Sequence, residues 1–455
     1  MVQYQLKFLI LQEVTGISYP DFILQNNIFF DNSHSINLYN LRDNKHHIDI
    51  IIKIGLISLI SLNLFQTCFK SITMVKLLDN INVFSVRDTT LLSKDRVTSV
   101  DALRGFDMFW IMGGEGIFMG LDEVFHNKIS GFIYKQLNHS EWFGFSFYDI
   151  IMPLFLFLVG ISMVYSYRKR LSTEKSDVPL WKHTIKRIII LWILGMIVQG
   201  NLLSYDTDKF LLYSNTLQAI ACGYLIATII ILYLPVLHQI TATVGLLLLY
   251  WAIMALIPVA GSTAGAYTPE GNVAQMVDAF VLGHFDDGLD YAWILSSLNF
   301  GATTMLGVFC GYMLQASVSK YTKFRNFIIL GIALIALALV WDIWHPIIKK
   351  LWTSSFVLFS GGLCILLLAV FYLLIDIWNI RKGTKWMIII GSNSIFAYVI
   401  WHVFGEQLRS MADVFITGLT PYIGNWYETI SYTGGFLIIY AALRYMYKNK
   451  IYIKI

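Results

Sequence analysis

Two histidine-bearing stretches and one carboxylate-rich apolar segment hold the residues of this 455-residue chain that could carry chemistry. The first stretch is His139-Ser140-Glu141-Trp142-Phe143-Gly144, which runs into Asp149 and Pro153. Histidine is the side chain best suited to accept and return a proton near neutral pH. His139 is therefore a candidate catalytic residue, and Trp142 a candidate contact for a ligand. Asp149 has two readings. It suits the first turn of a helix beside Ser146, where an acid complements the helix dipole. It is also a candidate for the catalytic group.

The carboxylate-rich segment contains Asp101, Arg104, Asp107 and Glu115. Asp101 and Arg104 are three apart, so on a helix they share a face and can pair. They are candidates for binding substrate or cofactor, or for a plain interfacial ion pair. Glu115 lies about 21 Å further along if the helix is continuous at 1.5 Å per residue. It sits in Gly113-Gly114-Glu115-Gly116, where small residues allow close approach. A buried carboxylate there points to function, and Glu115 is the third candidate catalytic residue.

The second histidine stretch is His345-Pro346-Ile347-Ile348-Lys349-Lys350-Leu351-Trp352-Thr353-Ser354-Ser355. Two lysines here are unusual for a loop on the outer side, and an anionic ligand would account for them. Interfacial snorkelling would do so as well. Lys350, Trp352 and Ser354 are candidate binding residues. Asn393 and His402 complete the set, although buried polar groups of this kind also serve to bond helices together.

These residues are embedded in a membrane-like chain. It is 56% hydrophobic and only 14% charged, against roughly 25% charged in soluble domains. The expected fold is an all-α polytopic bundle, because a bilayer requires backbone groups to be paired within each span. Apolar runs of span length fall at about 48–67, 101–120, 146–167, 186–204, 212–234, 241–258, 292–314, 326–345, 353–375, 386–405 and 430–447. That gives ten or eleven transmembrane helices. Residues 1–47 form an uncertain N-terminal segment, outside the membrane or a mis-assigned start; 48–67 is a possible first span, and 68–100 a basic lead-in. Residues 101–447 form the membrane domain and 448–455 a tail.

Loop charge orients the bundle. With 67–100 cytoplasmic, inside segments hold 22 Lys and Arg and outside loops hold 6. This bias puts the C-terminus in the cytoplasm and His139 and Lys350 outside. For a bacterial chain the membrane would be the inner one. The net charge of +4 gives no sign of a nucleic-acid partner. Cys68, Cys222, Cys310 and Cys364 are scattered, with neither metal spacing nor a disulfide framework.

The motifs resemble those of the heparan-alpha-glucosaminide N-acetyltransferase family and its bacterial relatives. Asp101-Ala102-Leu103-Arg104-Gly105 is similar to the family's Asp-x-x-Arg-Gly opening. The stretch from His139 to Gly160 resembles its His-x-x-Trp-x-Gly signature, followed by Asp, Pro and a Phe-rich run. Lys350 to Ser355 and Gly391-Ser392-Asn393-Ser394 resemble two further motifs. The resemblance covers roughly 95–410. It implies transfer of acetyl from cytoplasmic acetyl-CoA, a co-substrate with no metal, to an amino sugar or glycan on the far side. It also implies that His139 is catalytic, either as a base in a ternary complex or as a carrier of acetyl. Asn393, Trp352 or Ser354 could then supply oxyanion donors.

Two departures qualify the likeness. The family has asparagine where this chain has Glu115, and a carboxylate there could orient His139. Leu217-Gln218 remain from a family pattern whose arginines are here Leu212 and Ala219. The coenzyme's phosphates would then depend on Arg104, Lys186 or Arg187. Partners expected are the lipid bilayer, the acceptor and a second copy in a homodimer. A sugar transporter is the alternative, since buried carboxylates and Gly-rich helices also belong to transporters. The two halves, however, show no internal repeat.

Overall fold

A computed structural model describes residues 97–173, 177–259, 264–288 and 291–453. The span expected at 48–67 and the segments around it lie outside the described residues. Among the described residues there is no β-strand. The helices are α1 Thr98–Phe109, α2 Glu115–Phe125, α3 Lys128–Leu137, α4 Ile151–Thr173, α5 Val178–Val198, α6 Thr216–Tyr233 and α7 Val236–Leu256. They continue as α8 Val273–Leu282, α9 Ser297–Gln315, α10 Lys320–Trp341, α11 Ser354–Tyr372, α12 Lys385–Gly391, α13 Ser394–Ile416, α14 Thr420–Ile423 and α15 Tyr427–Lys448.

Among the described residues, five segments are long and apolar enough to cross a bilayer: Phe147–Arg168, Thr216–Tyr233, Val236–Leu256, Lys320–Trp341 and Ser354–Ile377. A sixth crossing is possible where α12 and the helices after it bend by 78°. Burial separates the centre of the bundle from its rim. The apolar window of Phe147–Arg168 is 78% buried, whereas that of Lys320–Trp341 is only 39% buried. The rim turns Ile329, Ile332, Leu339 and Val340 of α10 outward. Apolar side chains facing out suit a lipid surroundings rather than water.

α4 and α9 form the centre, and glycine brings them together. A Cβ on Gly160 would lie 2.0 Å from the Thr304 carbonyl oxygen, and one on Gly307 1.9 Å from that of Phe157. The two backbones therefore touch, which is how small residues drive helix association where water supplies no hydrophobic force.

The segment expected as one continuous helix over 101–120 is broken. Trp110–Gly114 forms a π-helical turn in which Gly113 has φ of 94°. That left-handed value favours glycine, and a Cβ there would sit 2.4 Å from the Trp401 ring. A wide turn of this kind commonly marks a functional position in a helix. Glu115 thus heads its own helix, and a straight-helix distance from Asp101 does not apply. The start of α1 is capped from a distance, since Asp376 Oδ2 accepts the Ser99 N–H at 3.1 Å.

Candidate active site

The site is a loop laid on a loop. After α3, the chain turns through His139–Gly144. Ser146 Oγ donates to the Asn138 carbonyl at 2.6 Å, and the Phe147 N–H donates to Gln136 Oε1 at 3.0 Å, which closes this turn on itself. The Gly144 N–H then donates to the Ile347 carbonyl at 3.1 Å and docks the turn on the 345–353 loop.

That second loop is heavily anchored. Its Leu351 carbonyl accepts from Tyr250 at 2.5 Å and Ser296 at 2.9 Å. The Lys350 carbonyl accepts from the Ala292 N–H at 2.9 Å. Trp352 adopts φ of 48°, rare for a bulky side chain. It is held there by burial, by a bond from its Nε1 to Thr303 Oγ1 at 3.1 Å and by Asn299 on its carbonyl at 2.7 Å. The tight turn points the Lys349 side chain inward.

Three functional groups meet where the loops touch. Asp149 is fully buried. Its Oδ2 accepts from the Ser146 N–H at 3.0 Å, Ser146 Oγ at 3.0 Å and Ser140 Oγ at 2.8 Å. Its Oδ1 lies 2.8 Å from His139 Nδ1. A carboxylate only accepts, so Nδ1 carries the proton in that bond and Nε2 keeps its lone pair. Lys349 is buried, with Nζ 3.3 Å from Asp149 Oδ1, 2.8 Å from His139 Nδ1 and 3.3 Å from Nε2. Its ammonium therefore competes with the ring N–H for Oδ1 and neutralises the carboxylate charge. The His139 side chain is 41% exposed, and its second ring nitrogen, Nε2, faces the Lys349 ammonium at 3.3 Å.

Burial lowers the basicity of His139; the Asp149 bond opposes this and the Lys349 charge adds to it. The imidazole is thus neutral at neutral pH. Burial also pushes the Lys349 ammonium down to about 8, against the pull of Asp149. A neutral base beside a cation that titrates just above neutrality is an arrangement suited to proton transfer with charge stabilisation.

The other expected site residues divide into three groups. Glu115 reaches the edge of the cluster. Tyr148, whose ring lies 4.9 Å from that of His139, hydrogen-bonds Glu115, and Glu115 is within electrostatic reach of Lys349. The carboxylate that orients the imidazole is however Asp149, not Glu115, because Asp149 already occupies Nδ1. Trp142 is half-buried, with Nε1 on the Tyr267 carbonyl at 2.7 Å and Lys350 Nζ 5.9 Å from its ring centroid. Lys350 thus stands one position away from the lysine that touches His139.

Trp352 and Ser354 are scaffold. Both are buried, and Ser354 Oγ donates to the Leu247 carbonyl at 2.8 Å. Their side-chain polar atoms, expected as donors to an oxyanion, are bonded within the fold. His345 is scaffold too. It is fully buried; Nδ1 bonds Tyr267 at 2.7 Å, and Nε2 accepts the Ser354 N–H at 2.9 Å, capping α11. Burial pushes its pKa down to about 3.

Asn393, Asp101 and Arg104 belong to the opposite end of α1 from Glu115. A Cβ on Gly391 would lie 2.4 Å from the Asp101 carbonyl oxygen, which sets the start of α13 beside the start of α1. Arg104 pairs with Asp101 at 3.5 Å and donates to Ser162 at 2.6 Å. Both polar atoms of the Asn393 amide are bonded to the backbone of the end of the chain, at Ile451 and Ile453. His402 lies on α13, stacked on Tyr398 at 4.1 Å, its Nδ1 bonded to the Tyr398 carbonyl at 3.0 Å. Arg187 lies over the Tyr224 ring at 4.5 Å. Gln218 caps α6, taking the Ser214 and Asn215 N–H groups at 2.9 and 3.1 Å.

The residues that sequence reasoning passed over are Lys349 and Tyr148. The signal for Lys349 was the same unusual pair of loop lysines, which does not say which of the two turns inward. Tyr148 carried no signal beyond its place beside Asp149.

Residues 96–268 match the family model described as heparan-alpha-glucosaminide N-acetyltransferase, catalytic. That match contains His139 and Asp149. Residues 96–268 are thus similar to the catalytic region of that family. Two curated relatives carry the name heparan-alpha-glucosaminide N-acetyltransferase. The one from Mus musculus is 24% identical over 371 residues, covering 69% of this chain and 54% of its own length. The one from Homo sapiens is 25% identical over 370 residues, covering 68% and 53%. The chain thus spans about half the length of the curated relatives it matches. The apolar helices and the likeness to these relatives support a helical integral membrane protein.

Proposed function

We propose that the chain is a transmembrane acetyltransferase that moves acetyl from cytoplasmic acetyl-CoA to an amino sugar or glycan at the outer face. The observation that carries this reading is His139, with Nδ1 held by buried Asp149 at 2.8 Å and a side chain that stays 41% exposed. The likeness to heparan-alpha-glucosaminide N-acetyltransferases supports the class of reaction. The bundle is read as ten or eleven spans, with the five or six strongly apolar ones joined by shorter, broken or more polar helices around the site. Loop charge supports a cytoplasmic C-terminus.

Nε2 is the reacting atom. As a base it takes the proton from the attacking amine as the C–N bond forms, and returns it to the departing thiolate as the C–S bond breaks. As a nucleophile it would hold acetyl between those two events. Under both routes Asp149 orients the ring and stabilises the imidazolium. The Lys349 ammonium, 3.3 Å from Nε2, stands where charge develops on the thioester oxygen. No metal is required for any of these steps.

The test is transfer from radiolabelled acetyl-CoA to a panel of amino sugars by purified protein in nanodiscs. Transfer by the wild type that is lost in His139→Ala is expected. A wild type that transfers to no amine, yet moves a labelled sugar across a vesicle membrane, would identify a transporter instead.

A further inference from the structure

The end of the bundle that holds the start of α12 and the last turns of α15 carries a feature to which the residues around His139 do not contribute. An open groove of roughly 600 Å³ lies between the start of α12 and the last turns of α15. That is the size of a small-molecule site. Lys385, Arg444, Lys448 and Lys450 line it, with Trp386 and Tyr440 among its aromatic walls, and no carboxylate does. None of the four cations has an ion pair among the described residues.

The groove is built rather than incidental. Its fourth cation comes from the chain after α15, which folds back instead of continuing. Lys450 turns with φ of 57°, and the Ile451 N–H returns to the Met446 carbonyl at 2.9 Å. Asn393 then grips the folded segment at two points. Its Nδ2 donates to the Ile451 carbonyl at 3.0 Å, and its Oδ1 accepts the Ile453 N–H at 2.8 Å. This gives the asparagine of the Gly391–Ser394 motif a positioning role. The aromatic wall is fixed as well: Trp386 packs edge-on against Phe109 at 5.5 Å, and Tyr440 stacks on Phe436 at 6.1 Å. α12 also lies directly on α1, for a Cβ on Gly105 would be 1.7 Å from the Met387 carbonyl oxygen.

Four like charges gathered in a concave site repel one another until an anion arrives. Arg and Lys together recognise phosphate, the first through its planar fork and the second as a point charge. Aromatic walls add a stacking face for a planar base. We propose that this groove binds a phosphate-bearing ligand. Two sources share that chemistry. One is the adenosine 3′,5′-bisphosphate end of acetyl-CoA, which rests on the function proposed above. The other is the headgroup of an anionic phospholipid.

The experiment uses the full chain in phosphatidylcholine nanodiscs. Adenosine 3′,5′-bisphosphate is titrated by calorimetry at low and high salt, and retention of phosphatidylglycerol is measured by native mass spectrometry. The triple variant Lys385→Gln, Arg444→Gln, Lys448→Gln is compared with the wild type. A tenfold or greater loss of bisphosphate affinity, with loss of its salt dependence, supports the nucleotide source. Unchanged bisphosphate binding with reduced phosphatidylglycerol retention supports the lipid source. Both ligands binding within twofold of wild type overturns the proposal. Should the triple variant fail to fold, Lys448→Gln at the exposed last turn of α15 gives the same readings with smaller size. His139→Ala is expected to bind the bisphosphate as the wild type does. A chain that binds the bisphosphate and transfers no acetyl therefore refutes the function and leaves the groove standing.

Discussion

His139 and His345 sit on two loops that touch, yet one is arranged for chemistry and the other for structure. His345 is fully enclosed and both its nitrogens are bonded, to Tyr267 and to the first N–H of α11. His139 has one nitrogen held by a buried carboxylate, while its side chain stays 41% exposed. The residue type is the same. What differs is whether a lone pair is left over once the fold has been satisfied. A histidine in an apolar stretch is therefore informative only when its partners are known.

Five changes bear on this contrast, in falling order of effect. Asp149→Asn leaves the loop packed but removes the carboxylate that fixes the ring, and transfer should fall by about 10³-fold, as when the acid of a triad is neutralised. Steady-state kinetics measures this, and a loss under tenfold would remove Asp149 from the mechanism. Lys349→Met should lower kcat about 10²-fold, the size of losing one preorganised charge donor.

The pH profile comes next. His139 must be neutral to accept a proton, so activity rises as pH climbs through its lowered pKa. Lys349 must stay charged, so activity falls as pH passes about 8. Lys349→Arg keeps its charge to far higher pH, and the alkaline fall should disappear even if the maximum is reduced. An alkaline limb that persists in this variant would assign it to another group.

His345→Ala should behave in the opposite manner to the site variants. It removes two buried hydrogen bonds and leaves a cavity, a cost of about 3 kcal/mol, seen as a lower midpoint in thermal unfolding. Transfer per folded molecule should stay within a few-fold of wild type. Glu115→Gln is the smallest change, because Glu115 meets the site through Tyr148. A drop under tenfold is expected in kcat at neutral pH.

The helical class was legible because apolar runs of span length admit few other structures in a membrane. The run read at 212–234 is α6, Thr216–Tyr233, and that read at 353–375 is α11 with its extension, Ser354–Ile377. The break at Trp110–Gly114 was not legible. Gly113-Gly114 hints at close approach, but only the Trp401 ring against Gly113 explains why the helix must open there. Within the site, His139 and Asp149 were readable from residue type and from their closeness in sequence. Lys349 lies 210 residues from His139, and nothing local chooses it over Lys350. That choice is made by the turn at Trp352, whose left-handed conformation depends on burial against α9. The structural partner of Asn393 was not legible for a similar reason. Its motif marks a contact with the end of the chain.

The central claim is that His139 Nε2 is the reacting atom. Acetyl transfer by His139→Ala, measured beside wild type and with thermal unfolding as a check on folding, tests it most directly. The account predicts a loss of at least 10³-fold with an unfolding midpoint close to that of wild type. Transfer within tenfold of wild type by a folded His139→Ala protein would contradict it.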